Sequence, residues 1–136
     1  MIDLIQLISR HNPNMGNISH LLVPTSPIIH LPSSLMSFTP GRSDYTGDLL
    51  SGFPMFNHYA FRLSPFQGNE SDLALTIRYS YDQEKVTPYS YQVYLDGQQT
   101  TVRFAPSNQS AMYEVRFETP ASEFLTVTNR KEMIRF

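Results

Sequence analysis

The sequence predicts an all-β fold, an antiparallel β-sandwich built as a single domain of residues 1–136. From residue 58 onwards, one strand-like segment follows another. Asp96 and Gly97 join two alternating runs, and an Asp-Gly pair in that position is a strong signal for a β-hairpin. No convincing helical periodicity interrupts these segments. Several strands joined by short polar turns are typical of a sandwich or of a portion of one.

The first part of the chain, residues 1–57, is rich in Pro, Ser, Gly and Asn. Its apolar pieces are short and mostly bounded by prolines, so they are interpreted as brief strands or extended segments at sheet edges. The pattern of residues 3–10 leaves helix and strand both open. The apolar pieces are "HLLVP" (20–24), "IIHLP" (28–32) and "SLMSF" (34–38).

Later segments show the pattern of half-buried strands. In residues 72–81, Leu73, Leu75, Ile77 and Tyr79 alternate with smaller or polar residues, as in an antiparallel strand with one buried face. The other predicted strands outside the central hairpins are "HYAFRLSP" (58–65), "EFLTVTN" (123–129) and "EMIRF" (132–136).

The central segment, residues 87–117, predicts a three-stranded meander. A two-residue type I′ turn at Asp96-Gly97 would place Tyr91 opposite Val102, and a four-residue loop over 106–109 would place Val102 opposite Tyr113. These three residues are predicted to form one buried row, with Tyr89 in the same core. A buried tyrosine usually finds a hydrogen-bond partner for its hydroxyl.

The opposite face of the meander is predicted to be a solvated surface because its side chains are mostly polar or charged. Tyr94 and Met112 are the exceptions, and Tyr94 is the one tyrosine left as a candidate platform for a ligand such as a sugar. The polar set comprises Ser90, Gln92, Thr101, Arg103, Glu114 and Arg116.

The amino-acid composition restricts the possible classes of function. With 40% hydrophobic and 16% charged residues, the chain can bury a core. A formal charge of −2 and scattered Lys and Arg give no electrostatic footprint for nucleic acid, and no membrane partner is expected. The absence of cysteine excludes disulfides, thiolate metal sites and a cysteine nucleophile. The N-terminus, with Asp3 and no basic leader, does not fit a secretory signal.

Candidate chemistry is sparse. The four histidines are far apart and lack the spacing that places two ligands on one face, so no metal site is predicted. The acidic residues form three local pairs, Asp44 with Asp48, Glu70 with Asp72, and Asp82 with Glu84. The second and third pairs are interpreted as solvated turn residues. No nucleophile elbow, phosphate-binding loop or calcium-binding EF-hand loop is present. No catalytic residue is predicted.

The most unusual segment is residues 30–65, which is long and not strand-like. Its polar residues have the composition of a loop that binds a polar ligand beside aromatic groups, although a packed surface loop is the alternative. Phe53, Met55 and Phe56 are predicted to be exposed within it. The predicted substrate-binding residues are Arg42, Asp44, Tyr45, Asp48 and His58.

The order of three segments resembles the N-terminal domain of glycoside hydrolase family 92, the calcium-dependent exo-acting α-mannosidases. The segments are "HLPSSLMSFTPGRSDYTGDLLSGFP" (30–54), "YAFRLSP" (59–65) and "YDQEKVTPYSYQVYLDGQQTTVRFAPSNQSAMYEVRF" (81–117). An acidic residue followed by x-x-TPYxYxVYLD is the most specific part. The resemblance covers most of the chain, whereas residues 1–16 match the family poorly.

The resemblance implies a β-sandwich of the supersandwich type, packed against a helical (α/α)₆ domain with the active site between them. It assigns the general acid, the acidic residues serving the base and most calcium ligands to the helical domain, so this chain is expected to be catalytically incomplete. It places Arg42, Asp44, Tyr45 and Asp48 near the domain interface and the sugar subsite, with His58 just past the motif. A mannose-containing glycan and the helical catalytic domain are the implied partners.

The family further implies an inverting hydrolysis and a secreted or periplasmic location. Calcium is implied for the full enzyme and none for this chain alone. Two alternatives to a mannosidase domain stay open. One is a free-standing carbohydrate-binding module with the same loop as its site, and the other is a structural fragment that associates with itself.

Overall fold

A computed structural model describes residues 28–34, 37–41, 49–54, 61–73, 77–120, 122–128 and 133–135. Within these ranges the regular structure is β-strand and 3₁₀ turn, and the predicted all-β class is confirmed. No helix in this part of the chain has the length and apolar character needed to cross a membrane. The strands are β1 (Ile29–His30), β2 (Ser37–Phe38), β3 (Leu49–Leu50), β4 (Phe53–Pro54), β5 (Arg62–Gln67), β6 (Tyr79–Thr87), β7 (Ser90–Leu95), β8 (Thr100–Pro106), β9 (Ala111–Phe117), β10 (Glu123–Thr128) and β11 (Met133–Arg135).

The strands form a five-stranded sheet in the order β3-β6-β7-β8-β9 and a four-stranded sheet in the order β11-β10-β5-β4. Strands β1 and β2 form a separate two-stranded ribbon. All the pairings are antiparallel, so the predicted antiparallel sandwich is also confirmed.

The hairpin between β7 and β8 lies where it was predicted, but its register differs by two residues. The connection spans residues 96–99: a 3₁₀ turn, Asp96–Gln98, is followed by Gln99 in the left-handed conformation with φ of 45°. Leu95 therefore pairs with Thr100, and Tyr91 pairs with Phe104 rather than with Val102. The predicted type I′ turn is wrong because Gln99, beyond the Asp-Gly pair, provides the reversal.

The second hairpin shifts by the same amount. Pro106 pairs with Ala111, so the loop covers residues 107–110, and Tyr113 pairs with Phe104. The row across the meander is therefore Tyr91, Phe104 and Tyr113. Val102 lies one row along, yet it shares the inner face, and both Tyr91 and Val102 are almost fully buried. The predicted inner and outer faces are right, whereas the predicted partners are wrong.

Two further predictions are corrected at β6. The strand runs from Tyr79 to Thr87, so Asp82 and Glu84 lie inside a strand and not in a turn. Pairing shifts between Asp82 and Lys85, which marks a bulge or irregularity in that strand. Tyr89, predicted in the core, lies in the two-residue turn between β6 and β7 and is 44% exposed.

The start of the predicted strand over 72–81 also differs. Residues Glu70–Asp72 form a 3₁₀ turn that Leu73 terminates. Residues 74–76 lie outside the described part of the chain, and regular pairing begins only at Tyr79. Exposed Glu70 and Asp72 fit the predicted solvated turn.

The core lies between the five-stranded sheet and the elements that cover its inner face. Phe38 of β2 stacks on Phe104 of β8, with 4.0 Å between the ring centroids. Burying a large apolar side chain contributes about 1.5–3 kcal/mol, so this cluster is the main source of stability. Its members are Ile29, Phe38, Leu50, Phe53, Leu63, Tyr79, Tyr91, Val93, Leu95, Val102 and Phe104.

Hydrogen bonds connect the two larger sheets. The Tyr79 hydroxyl on β6 donates to the Pro65 carbonyl on β5 over 2.9 Å, inside the core. Nearer one end, the Gln67 side-chain amide donates to the Thr119 carbonyl over 2.7 Å. The backbone N–H of Gln67 also donates to the side-chain oxygen of Gln98. These bonds place Gln67 beside the turn over residues 96–99, and the start of β5 at Arg62 lies at the other end of that strand.

Candidate functional site

The five predicted substrate-binding residues lie outside the described residues, so their positions stay predictions. They are Arg42, Asp44, Tyr45, Asp48 and His58. The structure does describe the chain on both sides of the two segments that carry them. These boundaries are Gly41 and Leu49 for the first segment, and Pro54 and Phe61 for the second.

Two backbone hydrogen bonds close the first segment at its base. The Gly41 N–H donates to the Gly52 carbonyl over 2.9 Å, and the Ser51 N–H donates to the Gly41 carbonyl over 2.7 Å. Gly41, Ser51 and Gly52 are all buried. We call this arrangement of residues 41, 51 and 52 the glycine clasp. It fixes the distance between Gly41 and Ser51, which lie on either side of segment 42–48.

The glycine clasp packs too closely against its surroundings to accept a side chain. Gly52 has φ of +104°, a backbone conformation that favours glycine. A Cβ on Gly52 would lie 2.9 Å from the Ser64 hydroxyl oxygen and 3.3 Å from the Leu63 carbonyl oxygen. A Cβ on Gly41 would lie 2.8 Å from the Ser51 hydroxyl oxygen. The clasp is therefore seated directly on β5.

The second segment, residues 55–60, begins and ends beside the same clasp. Phe53 pairs with Leu63 and Pro54 pairs with Arg62, so β4 and β5 form the two sides of a hairpin around it. The position that a Cβ on Gly52 would take is 3.7 Å from the Cβ of Arg62. The described residues that flank the two segments are therefore neighbours at one end of β5.

Phe53 corrects the prediction of an exposed aromatic patch. It is fully buried, with ring centroids 6.4 Å from Tyr79 and 6.5 Å from Tyr91. Its ring anchors the clasp to the five-stranded sheet, because the clasp residue Gly52 precedes it directly. Met55 and Phe56, the other two members of the predicted patch, lie outside the described residues.

The acidic residue of the most specific motif has a packing role in this fold. The Tyr91 hydroxyl donates to Glu84 Oε1 over 2.8 Å, across the paired strands β6 and β7. Tyr91 is 1% exposed, so a charged acceptor for its hydroxyl satisfies a polar group at the edge of the core. Glu84 follows Gln83, which has φ of 53° in the irregular part of β6. The spacing Glu84 to Tyr91 was visible in the sequence, but its purpose was not.

A second candidate surface is the outer face of the meander, which is polar as predicted. Arg103 donates from Nε to Gln92 over 3.0 Å, and its Nη1 lies 3.3 Å from Glu114. Tyr94 donates to Glu118 over 3.1 Å, so this candidate platform is tied to an acidic neighbour. An open groove of about 230 Å³ on this face is lined by Ser90, Tyr91, Gln92, Arg103, Phe104, Ala105, Met112 and Glu114. Ligand sites are usually concave and enclose most of the ligand, whereas this groove is open to solvent.

Metal-binding groups do not converge in the part of the chain that the structure describes: no three His, Asp or Glu side chains there are placed to hold one ion. His30 is exposed, and its Nε2 lies 3.0 Å from the Ser34 carbonyl oxygen.

The glycine clasp is not among the features predicted from the sequence. The signal that could have found it was the glycine at each side of the unusual loop, in "TPG" and "SGFP".

No protein-family model and no curated protein matches the chain. Nine chains of solved structures do match. One is a family GH92 inverting mannosidase from Bacteroides thetaiotaomicron, with a TM-score of 0.71 and 21% sequence identity. The match covers 93% of this chain and 20% of that chain. This sandwich therefore has the fold of one region of that mannosidase and spans about a fifth of its length.

Proposed function

We propose that this chain is the sandwich domain of an α-mannosidase of the GH92 type. In this proposal it supplies substrate-binding loops and the surface that meets a helical catalytic domain. The likeness in fold to a fifth of a GH92 mannosidase chain supports the proposal, as do the motifs in residues 30–65 and 81–117.

The observation that carries the proposal is the glycine clasp. It holds the base of segment 42–48 against β5, beside the base of segment 55–60. Binding residues are commonly found on loops that a rigid scaffold positions. Two segments whose flanking residues lie together can present side chains from both to one ligand.

The residue types on these loops suit a sugar. The carboxylates of Asp44 and Asp48 can accept hydrogen bonds from vicinal hydroxyls, and Arg42 can donate to ring or hydroxyl oxygens. Tyr45 offers an aromatic face with a polar edge, and His58 adds a second hydrogen-bonding group. In this proposal these five residues bind and orient a mannoside.

Turnover requires groups that we do not assign to this chain. Inversion needs an acid for the leaving oxygen and a base for water on the opposite face of the sugar. The family resemblance assigns both, and most of the calcium ligands, to the helical domain. Calcium, when bound there, supplies a hard cation for oxygen ligands of the sugar. The contribution of this chain is binding and orientation.

The test adds the helical catalytic domain of a GH92-type mannosidase in trans and measures mannose release from an α-mannobioside with calcium. We expect no release by the 136-residue chain alone and release by the mixture. Asp44→Ala and Asp48→Ala should each lower kcat/KM by about tenfold or more through lost hydrogen bonds to the sugar. Asp96→Ala is the matched control, because Asp96 lies at the opposite end of β5 from the loops.

Two results would overturn the proposal. Mannose release by the chain alone would make it a complete enzyme. Saturable mannose binding by the chain alone at about millimolar Kd, with no activity in any mixture, would make it a free-standing carbohydrate-binding module.

A further inference from the structure

Strand β9, Ala111–Phe117, forms the outer edge of the five-stranded sheet. It is seven residues long, and its pairing with β8 continues without a register shift from Phe117 to Ala111. The other edge strands in the described part of the chain are two or three residues long, and β4 ends in Pro54. Long regular edges are normally blunted by bulges, prolines or covering segments, since they accept further strands. Strand β9 itself contains neither a bulge nor a proline.

The direction of the backbone groups on β9 follows from the bonds at its two ends. The Glu118 N–H donates to the Gln99 carbonyl over 3.0 Å, and the Ser107 N–H donates to the Ser110 carbonyl over 2.7 Å. In an antiparallel pair, successive residues direct their backbone groups to opposite sides. Glu114 and Arg116 therefore bond towards β8, and Val115 directs its N–H and C=O away from the sheet. No described strand receives them.

The side chains of β9 alternate between its faces in the same way. Glu114 and Arg116 lie on the outer face, with side chains that are 45% and 67% exposed. Their charged atoms are 3.1 Å apart, so they already form one pair within the strand. Val115 lies between them on the inner face and packs against the core. The edge thus presents one acidic and one basic side chain, two positions apart in the sequence.

We infer that β9 pairs with β9 of a second copy of this chain, antiparallel, about a two-fold axis at Val115. A two-fold axis perpendicular to the sheet keeps the outer face continuous, so outer residues face outer residues. An axis at Glu114 would place two glutamates opposite each other, and an axis at Arg116 would place two arginines opposite. The axis at Val115 places Glu114 of each copy opposite Arg116 of the other, which gives two charge-complementary pairs.

The hydrogen-bonding pattern suits this register. The outward backbone groups of Val115 in the two copies can exchange two hydrogen bonds across the axis. Glu114 and Arg116 of the other copy then fall at a non-hydrogen-bonded position, where facing Cα atoms are about 4.5 Å apart and side chains are closest. Opposite charges at such positions stabilise a strand pair, and like charges weaken it. The inference does not depend on the proposed function.

A disulfide test reads the register directly, because the natural chain has no cysteine. We would prepare Glu114→Cys and Arg116→Cys, oxidise each alone and in a mixture, and quantify covalent dimers. The mixture should cross-link, since facing Cα atoms about 4.5 Å apart are within disulfide reach. Each variant alone should cross-link poorly, because its two cysteines would be diagonal neighbours roughly 7–8 Å apart. Cross-linking of Glu114→Cys alone would overturn the register.

Sedimentation measurements over a range of concentrations test the dimer itself. Arg116→Glu should raise the dimer Kd by about tenfold, since both pairs become repulsive. Val115→Pro should abolish the dimer while the monomer stays folded, because its lost N–H points away from β8. Arg78→Glu, the same charge change on an exposed residue outside β9, should leave Kd unchanged.

Thermal melts by circular dichroism check that each variant folds. A monomeric natural chain at every concentration, or a Kd insensitive to Val115→Pro, would overturn the inference.

Discussion

The long strands β6 to β9 and the two-residue strands β1 to β4 reach the same degree of burial by different means. From here on the meander includes β6, and β1 to β4 are called the covering region, although β3 pairs with β6 at the edge of the five-stranded sheet. The meander strands are six to nine residues long and are joined by connections of two or four residues. In the covering region each strand has two residues, yet Ile29, Leu50 and Phe53 are fully buried and Phe38 is 1% exposed. Backbone pairing can order the meander locally, whereas buried side chains must hold the covering region in place.

The comparison predicts that a core residue of the covering region is as important as one of the meander. Phe53→Ala and Phe104→Ala should each lower the free energy of unfolding by about 3–5 kcal/mol, through lost burial and a residual cavity. Urea denaturation monitored by circular dichroism measures both. Met112→Ala is the control, because Met112 is 74% exposed and its truncation should change stability by less than about 0.5 kcal/mol.

The opposite result would be as informative. If Phe53→Ala costs much less than Phe104→Ala, the covering region is an appendage of an independently stable meander. An effect on aggregation without an effect on stability would restore the exposed patch that the sequence suggested.

The sequence predicts the faces of the meander but not the residue pairs between its strands, because the side chains of a strand alternate with a period of two. Alternation fixes which face a residue occupies, and it is unchanged when the register slips by two residues. The slip came from the connection: Asp96-Gly97 suggested two residues, but Gln99 takes the left-handed conformation and extends the loop to four. The sequence therefore predicts the correct face for Tyr91 and Val102 but the wrong pairing partners.

The covering region was predictable only as short extended pieces. Two-residue strands have no period to detect, so the sequence predicts an exposed Phe53 in a stretch rich in Gly and Pro. Its burial depends on contacts with Tyr79 and Tyr91, distant in sequence. The glycine clasp is equally nonlocal, because it depends on how Gly52 meets Ser64. The five predicted substrate-binding residues rest on the family resemblance and on composition, and they stay predictions.

A smaller effect is expected from the glycine clasp. Gly52→Ala should destabilise the fold by about 1–3 kcal/mol, because an alanine at φ of +104° is strained and its Cβ would contact the Ser64 hydroxyl. Gly97→Ala is the matched control in the meander: no atom lies within 4 Å of the position that a Cβ on Gly97 would take, so the change should be within about 0.5 kcal/mol. Equal effects in thermal melts would remove the special role of the clasp.

Alkaline pH should weaken the contact between the regions. Burial raises the pKa of Tyr79 and of Tyr113 well above the ordinary tyrosine value of 10.0. Each is held neutral in the folded state, so its contribution is fully present below pH 10 and is lost as the pH rises above it. Stability should fall by about 1.4 kcal/mol per pH unit for each tyrosine. Tyr113→Phe should make the fall shallower in urea titrations, and an unchanged slope would contradict the assignment.

The smallest effect should come from the outer face of the meander. Arg103 bonds to Gln92 and Glu114, but its side chain is 50% exposed and that of Glu114 is 45% exposed. Water screens such pairs, so Arg103→Met, which keeps the apolar stem, should lower the free energy of unfolding by less than about 1 kcal/mol. Added salt should reduce the difference further, because the ion pair is screened already at moderate ionic strength. A loss comparable with that of Phe104→Ala, or one that is insensitive to salt, would mean that the outer face holds the meander together as much as its buried face does.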